Sequence, residues 1–395
     1  MSDRNPQNAG GDLPQPQPSK PARLIVDTDA HYYENPRAFG QYLDEPWRTR
    51  LERWTGLYYA PIAAASRTHD VHLGGRMKRK ELGLPVTDCR DGVLEIMDYL
   101  GVDVTVLLPG MLLGIAEITD KRRAVNLCHG FIEHMLNETV DPARGVYTLI
   151  VASTQSPPDA ADLIDRYAAH EGVCGVAMMT DAPFLPFGDN YYVPIYEACV
   201  RNKLPLVLHS GYGGPEGHES GYGLQTYVEN HIAFVFNNMR QMTSIIFQGI
   251  LERFPELKLI FQEAGVFYVP LMMFRLDSEY SMRRSEVPWL KKPPSEYIKS
   301  FYFGSQPLER VPQERYLKYT FEMMDAERTL LFATDWPHSD FDAPVVLERL
   351  SFLSEAAKAR ILGGNACQVL RFAPKGPLAP AEPAPSMANT VVGGD

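Results

Sequence analysis

Leu24-Ile25-Val26-Asp27-Thr28-Asp29-Ala30-His31 is an apolar triplet that runs straight into acidic, hydroxyl and imidazole side chains. The triplet reads as the start of a buried strand, and the residues after it decide the fold. An open doubly wound sheet usually carries a glycine-rich phosphate loop after its first strand; this stretch contains no glycine. Alternate residues of an extended strand share a face, so Asp27, Asp29 and His31 point the same way. Three ionisable groups aimed into an apolar interior are costly without compensation. A divalent cation is the usual compensation.

Working outward, short apolar runs recur at residues 104–108, 146–151, 173–179, 205–208, 257–261, 301–303 and 330–333. Their continuous apolarity fits strands buried on both faces of a parallel sheet. Between them lie stretches with helical periodicity, such as Val93, Ile96, Met97 and Leu100, followed by Gly101, or Ile195, Tyr196, Cys199 and Val200, opened by Pro194. Strands alternating with helices in this way predict an α/β fold, the (β/α)8 TIM barrel. Two longer stretches, 38–90 after the first strand and 211–240 after the fifth, read as insertions on the face where barrel enzymes keep their sites, expected to form a substrate pocket or a lid. The barrel is expected over 23–372. Residues 1–22, rich in Pro, Gln, Asn and Gly, and the Ala/Pro-rich 373–395 read as disordered tails.

The other strand ends carry chemistry too. The fifth ends in Leu208-His209-Ser210, the sixth in Phe261-Gln262-Glu263, and the eighth in Thr334-Asp335-Trp336-Pro337-His338. Taken singly these are weak signals: a lone His after a strand is more often a hydrogen-bonded core residue, and Asp335 could cap a turn. Their joint placement at one end of a barrel points to a metal site. Mixed histidine and carboxylate ligation suits zinc, manganese or iron, with open positions for water and substrate.

With 38 Lys and Arg against 49 Asp and Glu, the net charge is −11, which argues against nucleic acid as a main partner. The expected partner is a small molecule. The five cysteines are scattered and never form C-x-x-C, which fits reduced thiols in a cytoplasmic protein. No stretch is long and apolar enough to suggest a membrane span.

The stretches VDTDAH (26–31), LPLVLHS (204–210), GILERFPELKLIFQEAGVFYVPLMMFRLD (249–277), FYFGSQPLE (301–309), LFATDWPHSDFD (331–342) and ILGGNACQVL (361–370) together resemble the amidohydrolase superfamily, in the branch typified by aminocarboxymuconate-semialdehyde decarboxylase. The resemblance covers about residues 23–372. It implies one divalent ion, zinc first, with manganese or iron as alternatives, held by Asp29, His31, His209 and Asp335. Asp27 would stand behind them, orienting His31 or the strand, and His338 would support Asp335. Members of the branch are often dimers, so a homodimer is a possible assembly. Its decarboxylases carry a proton-donating histidine where this chain has Glu263. A glutamate can shuttle protons if burial raises its pKa; it could instead hold Arg275 or a backbone turn. His231, His218 and Trp54 are further candidates for substrate contact. The first expectation is a metal-dependent hydrolase of a small amide, lactone or activated C–C bond, with Asp335 and Glu263 moving protons. The alternative is a non-oxidative decarboxylase of an aromatic or unsaturated acid. The weakest reading is a barrel that binds without catalysis, against which the intact ligand set argues.

Overall fold

The strand that opens the barrel, β1, runs from Val26 to Tyr32 and is buried along its whole length. This computed structural model describes residues 23–53, 87–110, 112–181, 185–211, 227–338 and 340–372. After β1 come β2 (Val104–Pro109), β3 (Val146–Val151), β4 (Val173–Met179), β5 (Leu206–His209), β6 (Leu259–Phe261), β7 (Tyr302–Gly304) and β8 (Leu330–Leu331). They form one eight-stranded sheet in sequence order, every adjacent pair parallel. Past β8 the chain closes the circle against β1. Thr28 N donates to Phe332 O (3.0 Å), Asp335 N to Asp29 O (2.7 Å) and His31 N to Trp336 O (2.7 Å).

The main helices between strands are α1 (Arg90–Leu100), α2 (Lys121–His134), α3 (Pro157–Tyr167), α4 (Val193–Arg201), α5 (Tyr227–Phe247), α6 (Tyr268–Arg283) and α7 (Glu314–Met324). Gly101 ends α1 at φ +70°, a left-handed conformation that costs glycine little. Pro157 opens α3, where its missing N–H is no loss. On successive strands Val106, Leu149, Val176, Val207 and Ile260 are fully buried or nearly so, each worth about 1.5–3 kcal/mol of burial. Below the mouth, Gln262 crosses the interior, its Nε2 donating to Thr28 O at 3.1 Å and Oγ1 at 3.2 Å. Gly304 makes room for it, since a Cβ there would lie 1.8 Å from Gln262 Oε1.

The two stretches expected as insertions are only partly described. In the first, Pro36–Gly40 and Trp47–Arg53 are helical. In the second, residues 227–240 form the start of α5, with Ala233, Phe234, Asn237 and Asn238 buried. All five cysteines are free. Among the described residues no helix is long and apolar enough to cross a membrane.

Candidate metal and proton-transfer site

β1 delivers Asp29 and His31 into the barrel mouth, both fully buried. Its neighbour Asp27 turns to a different task. Asp27 Oδ1 accepts from Asp29 N (3.1 Å) and Thr334 N (2.9 Å), and Oδ2 from Thr334 Oγ1 (2.5 Å). Of the two roles expected for it, the geometry matches the second: Asp27 ties the strand to the chain after β8 and makes no contact with His31. Burial pushes the Asp27 carboxyl up to about 7, against the pull of its hydrogen bonds.

The two histidines are oriented by backbone carbonyls. His31 Nδ1 lies 3.1 Å from Pro109 O, and His209 Nδ1 lies 2.5 Å from Ser210 O. When Nδ1–H donates to a carbonyl, Nε2 carries the lone pair and is free to ligate. His31 Nε2 lies 2.9 Å from Asp335 Oδ1 and 3.5 Å from Asp29 Oδ1; His209 Nε2 lies 3.3 Å from Asp29 Oδ1. Donor atoms of Asp29, His31 and His209 fall within 4.8 Å of one another, as do those of His31, Asp335 and His338. His31 thus joins two triads that together contain all four expected ligands.

The decisive observation is what these atoms lack. Both carboxylate oxygens of Asp29, Nε2 of His31, Nε2 of His209 and Oδ2 of Asp335 are buried without a hydrogen-bond partner. Buried polar atoms are rarely left so, and several orphaned donors and acceptors clustered in one mouth fit a cation. Without one, burial opposes the charge of His31, yet Asp335 and then Asp29 outweigh it and push His31 up to about 9. Burial alone would raise Asp335, but His338 and His31 hold its carboxyl well below the usual carboxylate range.

Glu263, directly after β6, lies with Oε2 3.5 Å from His209 Nε2 and Oε1 3.8 Å from His338 Nδ1. Burial, reinforced by Asp335, Asp29 and Asp340, pushes its carboxyl well above the ordinary range and so favours its neutral form. Arg275 pairs instead with Glu279 at 2.9 Å, one helical turn along α6, so the structural role with Arg275 does not hold. Glu263 and Asp335 both adopt left-handed backbone, φ +54° and +59°, a strained conformation common at functional sites. The turn after Glu263 is clamped: Ser210 Oγ donates to Glu263 O (3.3 Å), and the Glu309 carboxylate accepts from Val266 N (3.1 Å) and Phe267 N (3.3 Å).

His338 touches Asp335, Nδ1 donating to Oδ1 at 2.7 Å, and its ring lies 4.3 Å from that of His31. His231 reaches the same neighbourhood, its Nε2 3.3 Å from Asp340 Oδ2. His218 and Trp54 lie outside the described residues. Two contributors escaped the sequence reading. Asp340 sits inside the quoted stretch 331–342, and its proximity to Glu263 is felt in the latter's pKa. Glu309 ends the stretch 301–309; no local pattern could show that it accepts from Val266 N and Phe267 N, in the turn before α6.

Against this geometry, comparison with known proteins is specific. The chain is 24% identical over 279 residues, 69% of this chain and 74% of the relative, to 2-amino-3-carboxymuconate-6-semialdehyde decarboxylase of Dictyostelium discoideum. It is 21% identical over 309 residues, 74% of this chain and 90% of the relative, to gamma-resorcylate decarboxylase of a Rhizobium species. Its fold is similar to the crystal structure of a dihydroxybenzoic acid decarboxylase from a Polaromonas species with bound manganese and the inhibitor 2-nitroresorcinol (TM-score 0.61, 19% identity, covering 88% of this chain and 96% of that one). These relatives favour the decarboxylase alternative over the hydrolase that stood first in the sequence reading. The family described as Amidohydrolase matches residues 26–372, and the chain belongs to it as an enzyme of the amidohydrolase superfamily.

Proposed function

We propose that this chain catalyses metal-dependent, non-oxidative decarboxylation of an aromatic or unsaturated carboxylic acid. The observation that carries this reading is the placement of Glu263, a buried carboxyl 3.5 Å from His209 Nε2, whose pKa burial and the neighbouring carboxylates push upward. Decarboxylation needs a proton delivered to carbon, whereas hydrolysis needs a base. Asp335, held well below the usual carboxylate range by its histidines, is a weak base for that purpose. The decarboxylase relatives support the same choice.

In this reading Asp29, His31, His209 and Asp335 hold the ion. Once bound, a divalent ion there supplies positive charge against the substrate carboxylate and a neighbouring oxygen. A set of two carboxylates and two imidazoles suits manganese as well as zinc, and manganese, present in the Polaromonas structure, is the first ion to load. Glu263 passes its proton to the carbon that bears the carboxylate. The C–C bond then breaks, its electron pair restores the conjugated system, and CO2 leaves. Solvent returns a proton to Glu263, so R–COO⁻ and H⁺ become R–H and CO2. His338 holds Asp335 and steers the Glu263 side chain between itself and His209.

The test is a panel of hydroxybenzoic and related unsaturated acids, given to protein loaded with manganese or zinc, with CO2 and product measured together. CO2 release that Glu263→Gln abolishes at unchanged metal content supports the reading. Cleavage of amides or lactones with no CO2 from any acid would return the chain to hydrolysis.

A further inference from the structure

A second concave site lies on the outer layer of the barrel and shares no residue with the mouth. It holds about 460 Å³, within the range of about 300–1,000 Å³ usual for small-molecule sites. Three segments build it. Residues 186–190, before α4, are fastened to the last turn of α5, Gly188 N donating to Ser244 Oγ at 2.9 Å. The short helix Ile250–Arg253 follows α5 and reaches back, Arg253 Nη1 donating to Asn190 Oδ1 at 2.5 Å. Trp289, in the chain after α6, forms the third side. Its Nε1 donates to Phe247 O at 2.8 Å, and its pyrrole ring lies against Gly249, where a Cβ would come within 2.6 Å of Cδ1. A lone exposed aromatic means little. This one is held at its N–H and at its ring, stays 46% exposed, and walls a cleft whose other sides are polar.

Those sides carry Asp189, Asn190, Gln248, Glu252 and Arg253. Their charges balance, because Glu252 is already paired with Lys291 at 2.7 Å and Asp189 is matched by Arg253. Much hydrogen-bonding capacity is unspent. Among the described residues the Gln248 amide has no side-chain partner, Asp189 uses only Oδ1, accepting from Tyr191 N at 2.8 Å, and Asn190 and Arg253 use one atom each. Such a lining disfavours an ion, which would meet balanced charge. It disfavours a flat aromatic ring as well, which would stack on Trp289 but leave the polar side unpaired. A pyranose matches both walls: C–H bonds project from its face and hydroxyls, each donor and acceptor, from its rim. We propose that this cleft binds a pyranose sugar, its C–H face on Trp289 and its hydroxyls on Gln248, Asp189, Asn190 and Arg253. The carboxylate and amide oxygens accept hydroxyl protons, and the amide and guanidinium N–H groups donate to hydroxyl oxygens. With one aromatic wall and an open side, affinity is weak, in the millimolar range. The inference does not depend on the reaction proposed above.

The test is titration of the full chain with methyl pyranosides of glucose, galactose and mannose and with the corresponding oligosaccharides, read by saturation-transfer NMR and calorimetry. The expected result is saturable binding of at least one glycoside, weakened about tenfold by Trp289→Ala at unchanged metal content. Should that variant fail to fold, Gln248→Ala, which alters an exposed side chain, is expected to weaken binding several-fold. An oligosaccharide that binds more tightly than the single ring assigns the cleft to the end of a glycan; equal affinity assigns it to free sugar. Absence of saturable binding by every glycoside overturns the proposal. So does binding that the folded variants leave intact, or a cleft that takes benzoate or adenosine in place of the sugars.

Discussion

Asp27 and Asp29 lie two residues apart on β1, both buried, yet the barrel treats them in opposite ways. Asp27, on the inner side, has both oxygens occupied by Asp29 N, Thr334 N and Thr334 Oγ1. Asp29, at the mouth, has neither occupied. The same contrast separates the barrel's middle from its rim. Inside, Gln262 and Thr28 join across the interior. At the rim, His31, His209 and Asp335 each keep a partnerless buried atom. A buried carboxylate is tolerated for one of two reasons: the protein supplies its partners, or something outside the protein does. Asp27 is the first case, and we read Asp29 as the second.

Several substitutions would break or sharpen this contrast. The largest effect is expected from Glu263→Gln, which removes the proton and keeps the shape. Turnover should fall on the order of 10²–10⁴-fold while metal content by elemental analysis stays at the level of the unaltered chain. Loss of metal together with activity would make Glu263 a ligand instead.

Next come the two aspartates themselves. Asp29→Asn should weaken metal binding by roughly 100-fold or more while the metal-free protein keeps its stability within about 1 kcal/mol. Asp27→Ala should do the reverse, keeping the metal and losing roughly 2–4 kcal/mol as three buried donors lose their acceptor. Calorimetric metal titration and urea unfolding of both variants decide the matter; matching profiles for the two would erase the distinction.

A pH series probes the rim alone. The metal needs neutral His31, and in the metal-free protein the carboxylates of Asp335 and Asp29 keep it charged up to about 9 despite burial. Below that value metal affinity should therefore fall about tenfold for each unit of pH lost. An affinity flat between pH 6 and 8 would show that His31 does not ligate.

The smallest effect is expected at the turn that presents Glu263. Gly265 sits at φ +66°, and a Cβ there would come within 2.2 Å of Glu309 Oε1. Gly265→Ala should cost about 1–3 kcal/mol, read in the melting temperature, and lower turnover by displacing the turn. A variant as stable and as active as the parent would mean that the Glu309 clamp is dispensable.

Much of this was legible from residue order. The alternation of ionisable side chains marked β1, and eight apolar runs marked the barrel. Asp29, His31, His209, Glu263 and Asp335 stood out because each ends such a run. The reaction was less legible: replacing an expected histidine with Glu263 read as a tilt toward hydrolysis, because a sequence cannot show that burial raises the pKa of this acid. Alternation along the strand could not separate Asp27 from Asp29; only the family resemblance did. Arg275 was a plausible partner for Glu263 by proximity in sequence, but α6 turns it toward Glu279.

What the sequence determined by itself is periodic and local: the alternation that buries strands, the helical spacing between them, and the residue types at each strand's end. What only the tertiary structure decided depends on atoms brought together from distant parts of the chain. Thr334 satisfies Asp27 and leaves Asp29 bare; Pro109 O orients His31; Asp335, Asp29 and Asp340 converge on Glu263 and raise its pKa. Desolvation and electrostatic coupling act through space, over distances set by the closed barrel, and so they appear only once the eighth strand has been brought back beside the first.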